Sequence, residues 1–184
     1  IMAYGTPRTD VYFDKNFVSS QREEMLKIFP KIGDRKIILY APTFRGNSPT
    51  AAYNENPLDY EKLKAALGDE DALVMKLHPF TAKKFGLTEG EKEKYGDFIF
   101  DGSKNLKIET ALCAADILIA DYSSLIFEYA LLNKPMLFYA YDLEEYEHDR
   151  SFYFDYKSFV PGKIVINNDE IIKAIQDKDF RADR

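Results

Sequence analysis

Four polar clusters, each directly behind a short apolar run, hold the residues of this chain best suited to chemistry. Thr43-Phe44-Arg45 follows the run at 36–40, His78-Pro79 the run at 72–77, Asp101-Gly102-Ser103 the run at 98–100, and Asp121-Tyr122-Ser123-Ser124 the run at 117–120. Arg45 offers a planar fork of donors that matches phosphate or carboxylate oxygens. His78 is one of only two histidines, and an imidazole changes its protonation near neutral pH. Ser123-Ser124 stands where a helix N-terminus is expected. There, unpaired backbone N–H groups and the positive end of the helix dipole suit an anion, although a serine also serves as a plain cap. Glu128 lies four residues past Ser124 on the same helical face. Helical side chains tilt toward the N-terminus, so its carboxylate is in reach of a ligand hydroxyl; a solvated surface glutamate is the alternative. His148 sits in Glu144-Glu145-Tyr146-Glu147-His148-Asp149, a charge-rich run that reads as a solvated face without recurrent metal-ligand spacing.

These clusters need strands and helices to position them. The apolar runs at 36–40, 72–77, 98–100, 117–120, 136–139 and 164–166 read as short buried strands. Between them the sequence predicts helices. Ser20 with Glu23 fits a capping box, with the helix ending at Phe29 before Pro30. Leu58, Leu63 and Leu67 mark a helix over 57–67 that Gly68 stops. Further helices are expected at 106–114, after the serine pair, and at 169–175, the last capped by Asn167 or Asn168. The Tyr- and Glu-rich stretch 141–156 has no clear period, and its aromatic cluster, Phe152 to Tyr156, reads as packing on the core. Strands alternating with helices imply an α/β parallel sheet with helices on both faces, and such sheets bind ligands at the carboxyl ends of their strands. The four clusters would then share one rim. Neither Gly-x-Gly-x-x-Gly nor a Walker-type phosphate loop occurs, which removes the main support for dinucleotide and P-loop readings.

Composition bounds the rest. The 184 residues are 46% hydrophobic and 30% charged, as in a folded globular protein of one domain. A net charge of −6 argues against a general nucleic-acid binder, which needs a positive field for backbone phosphates. No apolar run approaches the roughly 20 residues that span a bilayer. A single cysteine, Cys113, excludes an internal disulfide and fits a reducing cytoplasm. Ile1-Met2 at the start and the ending after Phe180 read as part of something longer.

Taken together, the chain resembles the CDP-glycerol glycerophosphotransferases, the bacterial teichoic-acid primases and polymerases. The resemblance rests on Gly5-Thr6-Pro7-Arg8-Thr9-Asp10, Tyr40-Ala41-Pro42-Thr43-Phe44-Arg45, Lys76-Leu77-His78-Pro79, the stretch 116–128, Lys134-Pro135, Phe138-Tyr139-Ala140-Tyr141-Asp142, the stretch 150–156, and Pro161-Gly162. The order and spacing of these pieces are more specific than any one of them. Thr9, Phe44, Ser151 and Lys163 depart from the family pattern, which favours asparagine, tryptophan, glycine and proline there.

The resemblance implies one Rossmann-like half of a GT-B fold, with residues 1–184 as the C-terminal, donor-binding domain. The acceptor-facing N-terminal domain, carrying another important histidine, would be absent. It implies transfer of glycerol phosphate from CDP-glycerol to a hydroxyl of a lipid-linked acceptor, with CMP released and neither metal nor cofactor required. Carried over residue by residue, Thr43, Arg45, Asp121, Ser123, Ser124, Glu128 and Arg150 would bind the donor, and His78 would serve the chemical step. The complete protein would be cytoplasmic and peripheral on the inner face of the membrane. Two other classes stay open: a GT-B nucleotide-sugar or other CDP-polyol transferase or epimerase, and a non-catalytic nucleotide-binding module.

Overall fold

In chain order the helices are α1 (Lys15–Ile28), α2 (Tyr60–Leu67), α3 (Pro79–Phe85), α4 (Glu89–Tyr95), α5 (Ile108–Ala114), α6 (Leu125–Ala130), α7 (Leu143–Asp149), α8 (Tyr156–Phe159) and α9 (Asn168–Gln176). The strands are β1 (Lys36–Ala41), β2 (Asp71–Met75), β3 (Ile99–Asp101), β4 (Ile117–Ala120), β5 (Met136–Tyr139) and β6 (Lys163–Val165). They belong to a computed structural model that describes residues 5–46 and 56–182. Ile1 and Met2, which prompted the reading of a longer protein, lie outside those residues.

All strand pairs are parallel, in the order β3-β2-β1-β4-β5-β6. Side chains alternate across a strand, and β1 shows the consequence. Ile37, Leu39 and Ala41 join one core with Met25, Leu112, Tyr129 and Phe138. Ile38 and Tyr40 join the other with Leu63, Leu67, Ile171 and Tyr139. Both faces are therefore covered by helices, which is why these strands read as continuous apolar runs and not as alternating ones. The order reverses between β1 and β4, and in doubly wound sheets the crevice at such a switch point takes the ligand.

The expected strands stand within one to two residues of their predicted bounds, and the helices over 57–67, 106–114 and 169–175 are present as α2, α5 and α9. Asn167 caps α9, accepting a hydrogen bond from the Glu170 N–H. The start of the first helix is corrected. Ser20 lies inside α1 and its hydroxyl donates back to the Phe17 carbonyl; Asp14 is the cap, accepting from the N–H groups of Asn16 and Phe17. A Ser-x-x-Glu pattern also arises by chance inside a helix, where serine bonds a preceding carbonyl. The chain carries a true capping box at Thr88 and Glu91, opening α4.

Candidate functional site

The carboxyl ends of β1, β4 and β5 are tied by one buried polar network. Asp121, directly after β4, accepts from the Thr43 N–H at 2.8 Å through Oδ1 and from Arg45 Nη1 at 2.9 Å through Oδ2. Arg45 also donates from Nε and Nη2 to the two oxygens of Asp142, at 2.6 and 3.0 Å, and from Nη1 to the Thr43 carbonyl at 2.6 Å. Tyr122 donates its hydroxyl to Asp142 at 2.8 Å, and Tyr156 donates to the Asp121 carbonyl at 2.9 Å. The Arg45 guanidinium lies over the rings of Tyr122 and Tyr146, 5.1 Å from each centroid. Burial pulls the Arg45 pKa down, but the Asp142 hydrogen bonds and the Asp121 charge outweigh it and raise the value. Burial raises Asp121, and Arg45 draws it part of the way back.

This arrangement changes the meaning of two expected donor contacts. Arg45 is not an open cation on the rim. It is 7% exposed and its fork is spent on two carboxylates and a carbonyl. Asp121 is likewise occupied by Thr43, Arg45 and the Tyr122 N–H. Both residues, with Thr43 held through its backbone, shape the rim from within. Asp142 is the partner that sequence reasoning missed. The available signal was its place in Tyr139-Ala140-Tyr141-Asp142, directly after β5.

The groups that do face outward stand on either side of this strut. Ser123 and Ser124 follow Asp121 and Tyr122 and open α6. Ser124 is exposed and its side chain makes no cap bond, while the Ser123 Oγ accepts from the Leu125 N–H at 3.3 Å. With six residues, α6 is under two turns long, so its dipole is small. Any anion contact at this turn would therefore rest on its hydroxyls.

His78 occupies the other side as the N-cap of α3, and its Nδ1 accepts from the Phe80 N–H at 3.2 Å. That bond fixes the neutral tautomer with the proton on Nε2, leaving an N–H donor on the far edge of the ring. Burial, and then the nearby Lys76 ammonium, lower the His78 pKa below the ordinary histidine value. Phe44 and Phe80 flank the imidazole with ring centroids at 4.8 and 4.6 Å. Arg150 reaches the same place from the end of α7: its guanidinium lies 5.2 Å from the Phe44 centroid and donates to the Gly46 carbonyl. The structure thus gathers His78, Phe44 and Arg150 at the β1–β2 edge of the rim.

Glu128 is the exception to the expected exposure. It faces inward, 6% exposed, and its Oε1 accepts from Nε of Arg8 at 2.7 Å and from Nη2 of the same guanidinium. His148 is exposed, as the charge-rich run implied. The aromatic cluster divides: Phe152 and Tyr156 pack with Tyr122, whereas Tyr153 and Phe154 are exposed.

Fold and rim define a Rossmann-like α/β domain whose strand ends present a histidine, serine hydroxyls and an arginine around a rigid ionic strut. The chain belongs to the CDP-glycerol:poly(glycerophosphate) glycerophosphotransferase family, whose sequence profile matches residues 1–184. It is 40% identical over 181 residues to the teichoic acid poly(ribitol-phosphate) polymerase of Bacillus spizizenii, covering 98% of this chain and 29% of that protein. It is 37% identical over 177 residues to the teichoic acid glycerol-phosphate primase of Bacillus subtilis, covering 96% of this chain and 42% of the relative. Among solved structures, the wall teichoic acid polymerase TagF superposes with a TM-score of 0.79 at 29% identity, over 97% of this chain and 44% of TagF. The chain thus spans less than half the length of these relatives.

Proposed function

We propose that this domain binds the CDP portion of CDP-glycerol and supplies one wall of the cleft in which glycerol phosphate passes to a hydroxyl of a lipid-linked acceptor. In this reading it is the donor half of a two-domain GT-B enzyme, and the acceptor wall belongs to a second domain. The complete enzyme works at the inner face of the cell membrane. Among the described residues no helix is long and apolar enough to cross a bilayer.

The observation that carries the proposal is the placement of His78 and the serine pair at the carboxyl ends of β2 and β4, either side of the switch point. The acceptor oxygen attacks the phosphorus that bears glycerol, and the bond to the CMP oxygen breaks. Negative charge grows on the departing CMP phosphate, so donors prearranged around it lower the barrier. The Ser123 and Ser124 hydroxyls and Arg150 fit that task. In this reading His78 polarises or protonates a phosphate oxygen through Nε2, and Glu128, buried beneath Arg8, receives a ribose hydroxyl on its unpartnered oxygen. The proton lost by the acceptor hydroxyl goes to a base on the other wall.

Calorimetric titration of the intact protein with CDP-glycerol, CDP-ribitol, a UDP-sugar and CMP tests this reading. CDP-selective binding that CMP reproduces in part supports it. UDP selectivity, or no nucleotide binding, overturns it. CDP-ribitol is the second donor to weigh, because the 40%-identical Bacillus spizizenii relative is a poly(ribitol-phosphate) polymerase.

A further inference from the structure

Glu128 poses a physical problem that its own helix does not solve. The side chain is buried, Oε1 takes both bonds from Arg8, and Oε2 is buried with no hydrogen-bond partner among the described residues. A buried carboxylate oxygen left unsatisfied costs about 1–3 kcal/mol or more. Natural structures keep such groups where a ligand or a conformational change completes them.

Arg8 is the other half of the arrangement. It sits in the 3-10 helix Pro7–Phe13, which packs beside α1, far from α6 in sequence. Its side chain is 58% exposed while that of Glu128 is 8% exposed, so the guanidinium reaches from the surface onto the buried acid. Nε and Nη2 converge on the single oxygen Oε1, and neither bonds Oε2. A guanidinium fork ordinarily spans both oxygens of a carboxylate. Here the second oxygen is left over, while the charge is neutralised and the side-chain rotation is fixed. The hydrogen bond and charge of Glu128 raise the Arg8 pKa, so the clamp stays cationic throughout the working pH range.

We propose that Arg8 is a positioning residue for ribose recognition: it clamps Glu128 through Oε1 and reserves Oε2 for a vicinal hydroxyl of the nucleotide sugar, which enters as the clamp shifts. This rests on the reading of Glu128 as the ribose contact. An unclamped Glu128 would carry an uncompensated buried charge and lose its fixed orientation, so sugar selectivity would fall even though Arg8 touches no nucleotide.

The test is calorimetry on the intact protein with CDP and its 2′,3′-dideoxy analogue, comparing wild type, Glu128→Ala, Arg8→Gln and Arg8→Lys, with folding of each checked by thermal melting. Hydrogen bonds to a charged acceptor predict that wild type prefers CDP by roughly 10- to 100-fold. Glu128→Ala and Arg8→Gln are each expected to bring that ratio near one, and Arg8→Lys to restore part of it. If Glu128→Ala abolishes the preference and folded Arg8→Gln keeps it, the clamp is refuted while the ribose contact stands. If Glu128→Ala keeps the preference, the ribose contact is wrong and the clamp falls with it. A failure of Arg8→Gln to fold leaves Arg8→Lys to decide: a ratio equal to that of Glu128→Ala overturns the proposal, and an intermediate ratio supports it.

Discussion

Arg45 and Asp142, 97 positions apart, meet as a two-bond fork, Nε and Nη2 donating to the two carboxylate oxygens at 2.6 and 3.0 Å. Asp121 takes the remaining edge of the guanidinium at 2.9 Å. One cation thereby fixes three strand ends, so the rim is set before any ligand arrives. Preorganised groups of this kind cost no rearrangement during reaction.

Breaking that strut is expected to unfold the domain more readily. Arg45 and Asp121 are 8% and 3% exposed at the side chain, so Arg45→Met leaves the buried Asp121 and the half-buried Asp142 carboxylates without their counter-ion. The expected loss is about 3–5 kcal/mol, measured by urea titration. Arg45→Lys keeps the charge but cannot span Asp142 and Asp121 together, so it recovers only part of the loss. Unchanged stability in both variants, with weaker CDP binding, would return Arg45 to the role of a direct phosphate contact.

The serine turn makes a different prediction. Ser123→Ala with Ser124→Ala removes hydroxyls without touching the buried network. CDP affinity is expected to fall about tenfold or more, the scale of lost hydrogen bonds to a charged group, while cytidine affinity stays nearly constant. Calorimetry with the two ligands separates these outcomes. Equal losses for both would place the phosphates elsewhere.

The strands and the rim were legible because a doubly covered parallel sheet writes itself as apolar runs followed by polar residues. His78, Ser123 and Ser124 could be placed on the rim from their position after such runs. Arg45 could be placed there too, but not its orientation. Whether a cation faces solvent or a carboxylate depends on Asp142, 97 residues away, and no local pattern reports that pairing. Glu128 follows the same logic, since its burial depends on Arg8 at a separation of 120 residues. Asp14 and Thr88 were local signals, readable as caps; Ser20 drew attention from the first by matching the same pattern three residues before a glutamate.

Lys134 illustrates a family motif with a structural use. Its Nζ donates to the carbonyls of Cys113 and Ala115, each at 2.7 Å, where α5 ends and the chain turns into β4. Lys134→Met is expected to cost about 1–3 kcal/mol by removing the lysine's bond to the Cys113 carbonyl and leaving the Ala115 carbonyl with only the long bond from the Tyr129 hydroxyl, at 3.4 Å. Burial also pushes the Cys113 thiol up to about 11. Thiol labelling at pH 8 is therefore expected to be slow in the native wild type. Rapid labelling of native wild-type protein would contradict the burial of this helix end.

His78 would link stability, through Nδ1, to the proposed chemistry, through Nε2. Its Nδ1 accepts the Phe80 N–H, so protonation at that nitrogen uncaps α3. The folded-state pKa is lowered, first by burial and then by Lys76, below the unfolded value of about 6.5. The imidazole's contribution to stability is thus fully present above the unfolded pKa and is lost as pH falls through it toward the folded one. Nitrogen-resolved NMR titration is expected to show the Nε2-protonated neutral form at pH 7 and a midpoint below the ordinary value. A midpoint at or above about 6.5 would refute the environment described. For the reaction, a carboxamide matches the reach of the ring but lacks its acid–base equilibrium. His78→Gln in the intact enzyme is therefore expected to cut turnover ~100-fold or more, the scale for losing an acid or base, while the CDP dissociation constant moves only a few-fold. On the proposed two-domain reading, the 184-residue chain by itself is expected to bind donor without transferring it, because the acceptor wall would belong to another domain. Near-normal turnover in His78→Gln would remove this residue from the chemistry, and transfer by the single domain would overturn the two-walled cleft.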